Sequence, residues 1–113
     1  MSDCIFCKII SGDIPSNKVY ENNSVLAFYD ISPKAPVHVV LIPKVHMEDF
    51  LHAADDPEVI QAMAQGVKEV AKVLDLEENG FRLVSNIGRD GGQSVYHLHY
   101  HILAGKRFGE DFG

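Results

Sequence analysis

His97-Leu98-His99-Tyr100-His101-Ile102-Leu103 holds three of the chain's six histidines, at alternate positions. An extended strand sends successive side chains to opposite faces, so the three imidazoles share one face while Leu98, Tyr100 and Ile102 take the other. The rings are then spaced by roughly 6.6 Å along the strand. Histidine is a middling strand former, and three on one core face would leave ring nitrogens in need of partners. A solvated strand face is the plain reading. The chemical reading is stronger, because imidazole titrates near neutrality and serves as nucleophile, proton donor or metal ligand. A catalytic metal held by His-x-His pairs is the first rival to a metal-free site.

Just ahead lies Asn86-Ile87-Gly88-Arg89-Asp90-Gly91-Gly92-Gln93-Ser94, a polar, glycine-rich loop between two apolar stretches. Glycines let main-chain N–H groups approach an anion closely, and Gln93 and Ser94 add side-chain donors at the entrance to the histidine strand. Donors beside histidines suit a phosphate better than a redox metal. An ordinary connection with Gly91-Gly92 at its turn is the alternative.

Outward from this centre, the chain reads as one α+β domain. Its 113 residues, 46% of them hydrophobic, suffice for a single packed core. Ile5, Phe6, Ile9 and Ile10 fall at helical spacing before Gly12. Lys18-Val19-Tyr20-Glu21 and Val25-Leu26-Ala27-Phe28-Tyr29 form a hairpin around Asn22-Asn23. Val37 to Ile42 is a β-branched strand closed by Pro43, and His46 to His52 a short helix or turn. Asp55-Asp56-Pro57 is an acidic cap with proline at the first helical position. Val59, Ile60, Met63, Val67, Val70, Ala71 and Leu74 then recur at three- and four-residue steps, predicting a long amphipathic helix to about Asp75. Phe81 to Asn86 is the next strand. Helix, hairpin, strand, helix, strand, strand predicts an antiparallel sheet covered by the long helix.

The formal net charge of −6 and pI near 5.4 argue against a nucleic-acid or anionic-membrane binder. No apolar run approaches the roughly 20 residues of a membrane span and no secretory leader is evident, so a cytoplasmic protein is expected. Cys4 and Cys7 form a C-x-x-C pair, which in a reducing compartment more often serves metal or redox chemistry than a structural disulfide. Two thiols alone cannot complete a tetrahedral site.

Gly92-Gln93-Ser94-Val95-Tyr96-His97-Leu98-His99-Tyr100-His101-Ile102-Leu103 resembles the signature of the histidine triad family, in which three histidines alternate with apolar residues. Asp30-Ile31-Ser32-Pro33-Lys34-Ala35-Pro36-Val37-His38 and Ile42-Pro43-Lys44 resemble its Hint branch, the purine nucleoside phosphoramidate hydrolases. The likeness spans about Cys4 to Gly105. It implies a meander sheet with one long helix and a short N-terminal helix, in a homodimer whose sheet continues across the interface.

By the same resemblance, His99 is the nucleophile that takes the nucleotidyl group. His101, His97 and His38 complete the catalytic set. His101, with Ser94 and Asn86, is the phosphate-binding set for the substrate, an AMP or GMP conjugate, and Gly92, Gln93 and Val95 are further substrate-binding positions. Asp30 matches the ribose contact; a carboxylate accepts from both vicinal hydroxyls, though an aspartate before Ile-Ser-Pro also simply forms turns. Ile31, Phe6, Ile9, Ile14 and Phe28 match positions that wall the base, and Ile9 and Phe28 could equally be core.

Relatives such as the galactose-1-phosphate uridylyltransferases imply a structural zinc here on Cys4, Cys7, His46 and His97. No cofactor is implied for the chemistry itself. The segment from 106 to 113 lacks the tryptophan of many Hint tails, and is expected to be flexible or to contact the partner subunit. A dinucleoside polyphosphate hydrolase of the Fhit type and a nucleotide-binding regulator with weak catalysis are the alternatives.

Overall fold

The computed structural model describes residues 3–113 as α1 (Ile5–Ser11), β1 (Lys18–Glu21), β2 (Val25–Tyr29), β3 (Val37–Pro43), α2 (Phe50–Ala53), α3 (Pro57–Val73), β4 (Arg82–Val84) and β5 (Tyr100–Ala104). Every strand pair is antiparallel, in the order β1-β2-β3-β5-β4. The α+β class and the antiparallel sheet are as expected, but only β1 to β3 run as a meander. The chain passes through α3 to form the edge strand β4, and β5 returns between β3 and β4. Burial explains the insertion. β5 sends Tyr100, Ile102 and Ala104 into the core and gains from neighbours on both sides, whereas the short β4 leaves Leu83 half exposed.

Sequence signals set the element ends. Asp56 caps α3 by accepting from the Val59 N–H, with Pro57 at the first turn. That helix stops at Val73, short of Asp75, because Asp75 turns into the left-handed region at φ 58° and donates its N–H to the Lys72 carbonyl. Cys4 caps α1, its Sγ accepting from the Cys7 N–H at 3.4 Å, and Gly12 ends it at φ 89°.

The sheet separates two cores. Val25, Ala27, Val39, Leu41, Ile102 and their neighbours pack against α3 through Met63 and Val70. The alternate residues Leu26, Phe28, Val40 and Ile42 meet Phe6 and Ile9 of α1 on the other face. Among the described residues no helix is long and apolar enough to cross a membrane.

The histidine row obeys this alternation, although less of it is strand than expected. Leu98, Tyr100 and Ile102 join the α3 core, while Phe6 of α1 meets His97 and His99 edge-on. Only Tyr100–Ala104 pairs as a strand. Ahead of it the main chain has other partners: the Leu98 N–H donates to the Met47 carbonyl, and the His97 carbonyl accepts from a histidine ring.

Candidate active site

His97, His99 and His38 each have their tautomer set by a main-chain group, and His38 in turn sets that of His101. His99 Nδ1 lies 2.8 Å from the carbonyl of His97, so it carries the proton and donates, leaving the Nε2 lone pair unengaged by that bond. The His97 ring donates from Nε2 to the Pro43 carbonyl at 2.9 Å, which leaves Nδ1 unprotonated and facing Cys4, Cys7 and His46. The Lys34 N–H donates to His38 Nδ1 at 3.0 Å, placing the His38 proton on Nε2. That nitrogen faces His101 Nδ1 at 2.8 Å and Asp30 Oδ2 at 3.5 Å. His101 therefore accepts at Nδ1 and carries its own proton on Nε2.

Burial depresses the pKa of all four rings. Desolvation is the leading cause at His38, His97 and His99, opposed at His38 and His99 by the Asp30 carboxylate. His101 falls furthest, to about 4, through burial and then the neighbouring His99 and His38. Neutral imidazoles at neutral pH are what a nucleophile and a ring of hydrogen-bond donors require.

Two cavities meet at these rings. The first, of about 380 Å³, is walled by Phe6, Ile9, Ile14, Phe28, Ile31 and Val95, with Asp30, Ser94, His99 and His101 at its polar side. Phe6, Ile9 and Phe28 belong to the α1 core as well, so wall and core are the same side chains. Ile31 is 98% exposed, an apolar flap over water with no packing role. The second cavity, about 530 Å³, takes in Asp30, His38, Asn86, Gly92, Ser94 and His101. Asp30 Oδ1 accepts from the Ser32 N–H at 2.7 Å, the turn expected of an aspartate there, while its other oxygen faces His38.

Gln93 corrects the sequence reading. Its amide nitrogen donates to the carbonyls of Glu48 and Val95, its Oε1 accepts from the Gly88 N–H, and its own N–H is on the Gly88 carbonyl. The residue is buried and lines neither cavity, so it braces the glycine loop and offers a phosphate nothing. Asn86 likewise donates to the Gly91 carbonyl at 2.8 Å, yet its side chain remains at the cavity wall. Gly91 is obligatory, since a Cβ there would stand 2.3 Å from the Ile87 carbonyl oxygen.

On the far side of Phe6, the ligand atoms of Cys4, Cys7, His46 and His97 all lie within 4.8 Å of one another. Cys4 Sγ is 3.3 Å and Cys7 Sγ 3.6 Å from His97 Nδ1; Cys7 Sγ is 3.4 Å and His97 Nδ1 3.1 Å from His46 Nδ1. Tetrahedral zinc with bonds of about 2.3 Å to sulfur and about 2.0 Å to nitrogen has ligand–ligand edges of about 3.3–3.8 Å. The donor set and spacing fit that ion. Asp30, His38 and His101 also approach one another within metal-binding range, but both His38 nitrogens and His101 Nδ1 already take part in hydrogen bonds.

The HIT domain model matches residues 11–108. The chain belongs to the HIT domain family. An uncharacterised HIT-like protein of Helicobacter pylori is 45% identical over 103 residues, covering 91% of this chain and 97% of that one. A histidine triad protein from Clostridium difficile superposes with a TM-score of 0.93 at 43% identity, over 99% of this chain and 98% of the other. A HIT family hydrolase from Clostridium thermocellum superposes at 0.92 with 39% identity, over 98% and 97%.

Within this HIT domain the structure brings together His38, His97, His99, His101, Asp30 and Ser94, from two separate stretches of the chain. The carbonyl of Pro43 and the N–H of Lys34, which set two of the tautomers, carry no mark in the sequence. Every residue offers such groups, so no side chain marks them. Lys34 and Arg82, at the wall of the second cavity, were also passed over. The tail contacts its own chain: the Phe108 ring centroid lies 4.7 Å from the Arg82 guanidinium carbon.

Proposed function

We propose that this protein is a Hint-type hydrolase that cleaves purine nucleoside 5'-phosphoramidates through a nucleotidyl-histidine intermediate. The observation that carries the reading is the His97 carbonyl on His99 Nδ1, because it holds the proton there and leaves Nε2 free to attack phosphorus. The apolar cavity takes the base, stacked among Phe6, Ile9, Ile14, Phe28, Ile31 and Val95. Asp30 receives the ribose hydroxyls. His101, Ser94, Asn86 and the Gly92 main chain surround the phosphoryl oxygens.

His99 Nε2 forms a bond to the α-phosphorus as the phosphorus–nitrogen bond breaks; the departing amine nitrogen takes a proton from solvent water, while the neutral His101 ring donates a hydrogen bond from Nε2 to the phosphoryl group. Water then attacks phosphorus, gives up its proton to solvent and displaces His99, releasing the nucleoside monophosphate. His38, held by the Lys34 N–H, keeps the His101 ring oriented. Two displacements on one imidazole need donors for the developing charge, which the neutral rings supply.

Cys4, Cys7, His46 and His97 would hold a structural zinc, which when bound cross-links α1 to the histidine row. Thiolate ligands suit the reducing cytoplasm. A homodimer is part of the same reading: β4 lies at the edge of the sheet with Leu83 49% exposed, and α3 leaves Val73 55% exposed.

The test is to offer an AMP–amine conjugate and a dinucleoside triphosphate at equal concentration and follow phosphorus by NMR. Preferential release of AMP from the conjugate is expected. Faster cleavage of the dinucleotide would shift the reading to the Fhit type, and turnover of neither would remove the hydrolase assignment.

A further inference from the structure

The second cavity meets the apolar one at Asp30, Ser94 and His101, and the sheet register determines what else faces it. Val84, His101 and Val40 stand opposite one another across β4, β5 and β3, and Arg82, Leu103 and His38 form the next row. Opposed residues of antiparallel strands send their side chains to one face. Arg82 is thereby on the face of His38 and His101. Lys34 reaches the same cavity from the loop between β2 and β3.

Neither cation is neutralised where it stands. Lys34 Nζ donates to the Ser32 carbonyl at 2.9 Å, leaving two of its three protons for another acceptor. Arg82 donates to the Gly109 carbonyl and lies over the Phe108 ring, partners that hold the guanidinium without cancelling its charge. Among the described lining side chains Asp30 is the one acid. Lys34 and Arg82 are the cationic side chains of a lining that also includes Gly113, the last residue, on a chain of net charge −6. The Lys34 charge reaches the rings, since it is among the causes that lower His38 and His101.

We propose that this cavity receives the leaving group, and that Lys34 and Arg82 select an amine that bears a carboxylate over a neutral or cationic one. The inference rests on the hydrolase reading, in which the base fills the apolar cavity and the group on the other side of phosphorus must lie beyond His101. A carboxylate a few atoms from the departing nitrogen meets both cations. An ammonium at the same place meets their repulsion.

Three AMP phosphoramidates that differ only in the amine test this: glycine, glycinamide and ethylenediamine. In the unaltered protein kcat/KM should be about tenfold higher for the glycine conjugate than for the glycinamide one, and lowest for the ethylenediamine one. Raising the salt should shrink that ratio. Lys34→Gln and Arg82→Gln should each remove most of the preference, and Lys34→Glu should invert it. Lys34 is exposed, so its variants report even if Arg82→Gln does not fold. Equal rates for all three conjugates, or a preference unchanged in both Lys34 variants, would overturn the inference while leaving the hydrolase reading intact. Absence of turnover with all three would instead defeat that underlying reading.

Discussion

The carbonyl of His97 accepts the Nδ1 proton of His99 at 2.8 Å, while the ring of His97 belongs to the cluster of Cys4, Cys7 and His46. One residue thus serves two neighbours with two different groups. The histidine row needs a main chain bent enough for that carbonyl to reach the ring two residues on. The contacts of His97 with Pro43 and Cys4 keep it so.

Replacing His99 with alanine should abolish turnover and leave nucleoside monophosphate binding within about tenfold, a change of about 1.4 kcal/mol. Rapid quench with a radiolabelled slow substrate should trap an acid-labile phosphorus–nitrogen bond on the unaltered protein. Label on any other residue would take His99 out of the mechanism.

Purification without chelator should yield about one zinc per subunit by elemental analysis. At free zinc of 100 times its dissociation constant, linkage adds about 2.7 kcal/mol to folding stability. For a domain of this size that corresponds to a Tm rise of about 10 °C over the stripped protein. Cys7→Ser should lose both the metal and the rise, and identical melting of loaded and stripped protein would count against the site.

Acid should destabilise the fold through its buried neutral rings. His101 titrates at about 4 in the folded chain, well below the ordinary histidine value of 6.5. Between those values the unfolded chain binds more protons, so stability is greatest above pH 6.5 and falls as the pH drops toward 4. His38 is shifted in the same direction. Melting curves across this range should show the loss, and His101→Asn should make it shallower. An unchanged slope in that variant would show that the ring does not contribute.

Asp30→Asn keeps an oxygen for the Ser32 N–H and so keeps the turn, but loses the anionic acceptor for the ribose. The ratio of kcat/KM for ribo- over deoxyribonucleoside conjugates should fall by about tenfold. A ratio equal to that of the unaltered protein would assign Asp30 to the turn and to His38 alone.

Much of this was legible along the chain because it depends on near neighbours. The alternation of His97, His99 and His101 with Leu98, Tyr100 and Ile102 needs only the period of extended backbone, and it holds even where no strand partner is present. Asp56-Pro57 starts α3, Gly12 closes α1, and the spacing of Cys4 and Cys7 marks a pair suited to metal or redox chemistry. The motif from Gly92 to Leu103 pointed to the HIT family for the same reason.

Gln93 shows where such reading stops. A glutamine beside glycines is a plausible donor to phosphate until the fold brings the Glu48 carbonyl within 2.8 Å and turns the side chain inward. The placement of β5 between β3 and β4, and with it Arg82 on the face of His101, depends on which strand buries most apolar surface. That competition involves residues from the whole domain. The Pro43 carbonyl and the Lys34 N–H carry no side-chain signature, so their roles emerge only when distant segments meet. Residue type and period are local properties of the chain, whereas register, tautomer and the choice of charges that meet in one pocket are properties of the packed sheet.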